Sequence, residues 1–264
     1  MRLLFRFVLL SLLTLPLDAA AQAGLAPTGT LRAAYLSGNP AQAVKDPATG
    51  MIRGTAVDLT RELGRRLGVQ VLLTGVQSPQ NVIDAVRNGQ ADIGFVAYNP
   101  ERAGPVEFSR PYMLVQQTFL VRQDSSIRSV ADIDRPNQKI GATKADSIAL
   151  YLARNLKRAR LVEVTESSPG EALQTLAARK LDAFGANRQR LTDAMRGVSG
   201  LRLLPDDLYG VEQTIIVANG KPEALKAVNG FIDDVRRSGF LRDAIERSGV
   251  VGLIVAQPAQ PGSK

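Results

Sequence analysis

Apolar positions along the chain repeat with two alternating periods. Leu31 to Leu36 is a short apolar run that reads as a strand, and a polar turn follows through Gly38-Asn39-Pro40 and Asp46-Pro47-Ala48-Thr49-Gly50. Leu59, Leu63 and Leu67 then fall at i, i+4 and i+8, which predicts an amphipathic helix from about Val57 to Leu67, stopped by Gly68. Val69 to Leu73 reads as a second strand. Ser78-Pro79 reads as the N-cap and first residue of a helix whose inner face carries Val82, Ile83 and Val86 and which stops at Gly89. Ala91 to Ala97 is a third strand. Strands alternating with helices imply a parallel sheet covered on both faces.

The alternation then starts again. Lys139 to Thr143 is a strand, Asp146 or Ser147 opens a helix to about Leu156, and Leu161 to Val164 is a strand. Ser168 or Pro169 opens a helix carrying Leu173 and Leu176, Asp182 to Ala186 is a strand, and Gln189 to Arg196 is helical. Two such runs predict two α/β lobes. Met113 to Arg122 and Tyr209 to Ala218 are long extended segments that suit crossings between them. Pro222 to Ser248 reads as two more helices, which belong to the first lobe if the chain crosses back at Tyr209 to Ala218. The expected organisation is lobe 1 from 24–115 plus 216–255, lobe 2 from 116–215, and a disordered tail at 256–264.

Residues 1–23 have a different character. Arg2 and Arg6 precede an almost unbroken apolar run from Leu3 to Leu15, Pro16 breaks it, and Ala21-Gln22-Ala23 offers a small-x-small cleavage site. This is the pattern of a secretory signal peptide, and the run is short for a bilayer span. The expected fate is export from the cytoplasm. Composition narrows the chemistry further: the 264 residues include no Cys, no His and no Trp. Thiol nucleophiles, disulfides, Cys/His zinc sites and imidazole-based triads are thereby excluded. The formal charge is +8, but the arginines are scattered rather than gathered into one stripe, and export argues against nucleic acid as a partner. No cofactor and no metal are expected.

Several motifs in order resemble those of the family 3 periplasmic solute-binding proteins, the receptors of amino-acid-type ABC importers. Gly54-Thr55-Ala56-Val57-Asp58-Leu59 resembles the family's G-F-x-V-D-L, and Asn88-Gly89-Gln90-Ala91-Asp92-Ile93 its G-x-x-D strand entry. Pro100-Glu101-Arg102 followed by Val106-Glu107-Phe108-Ser109-Arg110-Pro111-Tyr112 is similar to T-P-E-R-x-x-x-V-D-F-S-x-P-Y. Lys139-Ile140-Gly141, Gly170-Glu171-Ala172-Leu173 and Lys180-Leu181-Asp182-Ala183 repeat the family's spacing in the second half. The resemblance covers nearly all of the chain after residue 23 and implies an α/β, two-lobed, type II "Venus-flytrap" fold with two hinge crossings. It implies a monomer that closes over a small-molecule ligand and delivers it to an inner-membrane ABC permease, making and breaking no bond.

Carried over residue by residue, the resemblance makes Arg102 a bidentate clamp for a ligand carboxylate. A surface Arg or a salt bridge to Glu101 or Glu107 is the structural alternative. Ser147 opens the helix whose backbone N–H meets the same carboxylate, or simply caps it. The amino-group side departs from the family, because Asn187 stands where a carboxylate is usual. Phe95-Val96-Ala97-Tyr98-Asn99 replaces the small and hydroxyl residues, Pro79 replaces an aromatic residue, and Ser37-Gly38-Asn39 follows the first strand. A buried ammonium left without its partner costs about 3–5 kcal/mol, which disfavours a standard α-amino acid.

Asp146 complicates that argument: it could cap the helix, pair with Lys144 or Arg102, or replace the missing ammonium partner. Lys144 could add a second positive charge to the cleft. Tyr35 and Tyr98 lie at strand ends and either line the cleft or pack. With Arg102 and Lys144 both on the ligand, a small organic acid fits better than a zwitterion. Two alternatives stay open. One is a periplasmic enzyme resembling cyclohexadienyl dehydratase, with Glu101, Asp146 and Lys144 as its only obvious acid–base groups; the other is a sensor or accessory binding protein.

Overall fold

The computed structural model describes residues 24–46, 48–144, 146–165 and 171–258. The expected signal peptide, the helix start at Ser168 or Pro169 and tail residues 259–264 lie outside the described residues. Among the described residues no helix is long and apolar enough to cross a membrane.

Lobe 1 opens with β1 (Thr30–Leu36), a small hairpin of β2 (Val44–Lys45) and β3 (Ile52–Arg53), and α1 (Thr55–Leu67). It continues through β4 (Gln70–Val76), α2 (Pro79–Arg87), β5 (Ile93–Ala97) and β6 (Val106–Phe108). The chain crosses on β7 (Met113–Arg122) to lobe 2, which holds β8 (Lys139–Thr143), α3 (Ser147–Asn155), β9 (Arg160–Val164), α4 (Glu171–Ala177), β10 (Ala183–Asn187), α5 (Arg188–Ala194) and β11 (Leu201–Leu203). It returns on β12 (Tyr209–Ala218) and ends in lobe 1 with α6 (Pro222–Arg237), α7 (Phe240–Ser248) and β13 (Leu253–Val255).

The sheet runs in the order β4-β1-β5-β12-β7-β10-β8-β9. β4, β1 and β5 are parallel, as are β9, β8 and β10. The two crossing strands lie between these blocks and pair with each other antiparallel, from Tyr209 opposite Gln117 to Gln213 opposite Met113. Because β12 already pairs with β5 from Gln213 onward, the expected boundary at 215/216 falls inside lobe 1's own ladder, a few residues past the crossing. Ladder hydrogen bonds, not hydropathy, set that point.

Side-chain alternation along the strands builds a core on each face of each lobe. In lobe 1, Leu31, Ala33, Ile215 and Val217 pack with α1, α6 and α7, while Ala34 and Ile216 turn to the other face and meet Val82, Ile83 and Val86 of α2. In lobe 2, Phe119, Val121, Ile140 and Ala142 pack with α3, and Leu120, Phe184 and Ala186 meet α4 and α5. The three leucines of α1 are all buried. α1 starts at Gly54 because its φ is 138° and a Cβ there would lie 2.5 Å from the Gln42 carbonyl oxygen. Ser78 caps α2 through a 3.1 Å bond accepted from the Asn81 N–H.

The G-x-x-D aspartates are structural. Asp92 accepts from the Arg32 backbone N–H at 2.9 Å and from its guanidinium at 3.0 and 2.6 Å, tying β5 to β1. Asp182 does the same backbone job in lobe 2, accepting from the Lys139 N–H at 2.8 Å. The end of the chain needs a correction to the disordered tail expected from 256. Ala256 is buried, and its N–H donates to the Tyr112 carbonyl at 3.1 Å, because β13 pairs with β7 and carries the chain along lobe 1.

The lobes also touch beside the crossing strands. The Val251 N–H donates to Gln189 Oε1 at 2.7 Å, linking the loop before β13 to α5. Gly252 (φ 75°) sits there because a Cβ would lie 2.7 Å from the Arg188 Cβ.

Candidate functional site between the lobes

Parallel strands carry their C-terminal ends to one edge of a sheet, and ligands of α/β folds bind outside that edge. Here the two edges face each other across a cavity of about 770 Å³. Lobe 1 contributes the segment after β1, where the buried Gln42 Oε1 accepts from the Leu36 N–H at 2.8 Å and Asn39 Oδ1 accepts from the Ala41 N–H at 3.1 Å. Its wall is mostly apolar: Leu36, Pro40, Ala41, Val115, Val250 and Leu253. Lobe 2 contributes a polar wall from the loop after β8 and the first turns of α5, with Asp146, Asn187, Gln189, Arg190 and Asp193.

Of the residues expected at the site, Asn39, Asp146 and Asn187 line this cavity; Arg102, Lys144, Ser147, Ala97, Tyr98 and Tyr35 do not. Asn187 is the last residue of β10 and the N-cap of α5, its Oδ1 accepting from the Arg190 N–H at 2.8 Å. Asp146 stands at the N-cap position of α3, yet its side chain makes no capping hydrogen bond. Its carboxylate pairs instead with the Arg190 guanidinium at 3.0 Å, so neither the cap nor a pair with Lys144 or Arg102 is formed. Burial pushes the Asp146 carboxyl above the usual aspartate range, with Arg190 opposing that shift. Asp193 is held by Arg196 at 3.0 Å and by Gln189 Nε2 at 2.7 Å. The polar wall is therefore largely satisfied from within lobe 2.

Arg102 ends the 3-10 turn Pro100–Arg102 that follows β5, fixed by Asn99, whose Oδ1 accepts from the Glu101 N–H at 3.0 Å. β5 is parallel to β1, so this turn leaves the same sheet edge as the cavity segment after β1. The Arg102 side chain is half-buried and makes no ion pair among the described residues; Glu107 is engaged elsewhere, accepting from the Gly220 N–H at 3.3 Å. Tyr98, 46% exposed, meets Phe108 edge-on at 5.2 Å. Ala97, half-buried, pairs with Gln213 at the point where β12 leaves the crossing. Lys144 and Ser147 are exposed at the start of α3. Below them Tyr151 stacks on Tyr209 at 4.4 Å, and burial raises the Tyr209 phenol, with a bond to Ser147 acting against it. Tyr35 is a packing residue: it is buried in the lobe 1 core, its phenol raised by burial.

Arg190, Gln189 and Asp193 were not singled out by sequence reasoning. The Asp146–Arg190 pair joins residues 44 positions apart, and only the docking of α5 beside α3 brings them together. The sole local signal was the Asn187-x-x-Arg190 spacing at a strand end. Among the described residues no group of three or more carboxylates is placed to hold a metal ion.

The L-arginine-binding protein of Pseudomonas aeruginosa is 27% identical over 240 residues, 87% of this chain and 89% of that protein. The glutamine-binding protein of Geobacillus stearothermophilus is 30% identical over 176 residues, and that match spans 64% of each chain. Among solved structures, the binding component of an ABC transporter from Wolinella succinogenes, complexed with lysine, superposes with a TM-score of 0.66 at 26% identity, covering 83% of this chain and 95% of that one. These likenesses agree with the two-lobed type II binding-protein architecture. The family profile matches residues 31–248, and with that span the chain belongs to the bacterial extracellular solute-binding proteins, family 3.

Proposed function

We propose that the chain is an exported, periplasmic solute receptor that closes its lobes over a small carboxylate-bearing ligand of amino-acid size and delivers it to an ABC permease. The observation that carries this reading is Arg102. The half-buried arginines Arg32, Arg66 and Arg236 are each held by an aspartate and Arg202 by the Ser125 and Ile127 carbonyls, whereas the side chain of the half-buried Arg102 has neither kind of partner among the described residues. A guanidinium left open at the ligand-binding edge of a parallel sheet is a ready fork for a carboxylate. The relatives that bind glutamine and arginine support a ligand of that size.

The other end of the ligand is recognised differently. Asn187 carries no charge, and Asp146 is already paired with Arg190, so an α-ammonium group meets no open carboxylate among these residues. An organic acid, or an amino-acid-like solute held mainly by its carboxylate, suits the cleft better. Acid–base catalysis has little to work with, since Asp146 and Asp193 are both tied to arginines.

A thermal-shift panel of common α-amino acids, mono- and dicarboxylates and inorganic anions tests the reading on residues 24–264. A ligand at 100 times its Kd adds about 2.7 kcal/mol, and Arg102→Ala removes that shift. A panel in which nothing stabilises the protein, or an Arg102→Ala variant that binds as the parent does, overturns it.

A further inference from the structure

The N-cap position of α3 holds the residue type best able to block an anion site there. An aspartate at this position ordinarily turns its carboxylate onto the N–H groups of the second or third helical residue, here Ile148 or Ala149. Those first-turn N–H groups have no acceptor within the helix and are the donors a carboxylate ligand would use. A capping Asp146 would therefore occupy the same donors as the ligand and place a like charge beside it. The backbone of Asp146 is set for capping, with φ −67° and ψ 152°, yet the capping hydrogen bond is absent. The carboxylate points to Arg190 of α5, 3.0 Å away, and both residues lie on the wall of the inter-lobe cavity. Neither the Ser147 nor the Ile148 N–H donates to any described residue.

We propose that Arg190 is a positioning residue for the ligand site: by holding the Asp146 carboxylate away from the start of α3, it keeps that helix terminus open for the ligand's anionic group. Asp146 is then an internal competitor held in check, not a partner for a ligand ammonium group. The inference rests on the carboxylate-ligand reading above and adds to it a specificity rule. Whatever weakens the Asp146–Arg190 pair lets the protein's own carboxylate compete with the ligand's. Arg190 sits one residue after Gln189, whose side chain bonds the Val251 N–H of lobe 1. The helix that restrains Asp146 is thus also in contact with the opposite lobe.

Calorimetric titration of the parent and four variants with L-glutamine, L-arginine and succinate tests this. For each probe the parent binds, Arg190→Gln should weaken binding about tenfold, the scale of one N-cap contact. Arg190→Lys, which keeps the cation, should stay within about threefold of the parent, and Asp146→Ala should bind at least as tightly as the parent. The double variant Asp146→Ala/Arg190→Gln should return to the affinity of Asp146→Ala, a recovery that general destabilisation would not produce. Loss of binding in Asp146→Ala would make Asp146 a ligand contact and overturn the proposal. So would a double variant as weak as Arg190→Gln, which would make Arg190 the contact. Crystal structures of the ligand-free parent and Arg190→Gln supply a readout independent of the probe. The Asp146 carboxylate should bond the Ile148 or Ala149 N–H in the variant alone, and a carboxylate that stays away from them overturns the proposal. If none of the three probes binds the parent, the ligand reading loses support while these structures still decide the role of Arg190.

Discussion

Replacing Asp92 with alanine should cost far more stability than the same change at Asp182, although the two stand at equivalent strand entries. Asp92 accepts three hydrogen bonds from one residue: 2.9 Å from the Arg32 N–H, 3.0 Å from Nε and 2.6 Å from Nη2. Its side chain is 3% exposed, and that of Arg32 is 25% exposed. Removing one member of a buried pair costs about 3–5 kcal/mol, chiefly because the other charge is stranded. Arg32 keeps its bond to the Gly89 carbonyl at 2.7 Å and can take up water through its exposed quarter, so the lower end, about 3 kcal/mol, applies. Asp182 is 36% exposed, accepts the Lys139 N–H at 2.8 Å and lies 3.8 Å from Arg122, too far for a hydrogen bond. Its loss should cost about 1 kcal/mol.

For a domain of this size about 2–4 °C of Tm accompanies each kcal/mol, which makes Asp92→Ala roughly 6–12 °C less stable and Asp182→Ala roughly 2–4 °C. Urea unfolding at pH 7 with unchanged m-values would measure both. Arg32→Met combined with Asp92→Ala should recover part of the loss by removing the stranded charge. The reasoning fails if the two aspartate variants lie within experimental error of each other, or if the double variant is less stable than Asp92→Ala alone.

Gln189→Ala removes the 2.7 Å bond to the Val251 N–H that joins the lobes. Hydrogen exchange at Val251 should accelerate about fivefold, the worth of one hydrogen bond of about 1 kcal/mol, and unchanged exchange would mean the contact does not persist in solution. Asp134 accepts the N–H groups of Lys157, Arg158 and Ala159 at 3.0, 2.7 and 2.8 Å. These bonds, Ala159 and Arg158 foremost, hold its carboxyl below the usual aspartate range. Its contribution is therefore present above the unfolded-chain pKa and is lost as pH falls through the lower native value. Asp134→Ala should be less stable than the parent at pH 7, with the gap closing toward strongly acidic pH. A gap independent of pH would show that the carboxylate charge is not what the loop uses.

Periodicity alone placed most elements within a residue or two, because helices and strands whose buried faces meet one core must repeat every 3.6 or 2 residues. It found α1 through Leu59, Leu63 and Leu67, α2 through Ser78-Pro79, and both crossing strands through their unbroken extended character. Short strands escaped it. β2, β3, β6, β11 and β13 have only two or three residues each, too few to show a period; β6, β11 and β13 exist because a longer crossing strand offers them a ladder, and β2 and β3 pair only with each other. Sequence alone places Ala256 in a disordered tail because its anchor is the carbonyl of Tyr112, 144 residues away in the chain.

The site divides along the same line. Sequence alone determined which groups are chemically possible: no thiol and no imidazole, an arginine after the third strand, and an uncharged asparagine at the end of β10. It could offer Asp146 three roles, as a helix cap, as a partner for Lys144 or Arg102, or as a partner for a ligand ammonium, but had no means of choosing among them, because the choice depends on which group the fold brings nearest. Only the packing of α5 beside α3 selected Arg190, a residue that sequence reasoning had passed over. Local pattern is fixed by neighbours a few bonds apart, whereas the charge that an ionised group meets is fixed by whatever the fold carries to within about 4 Å of it.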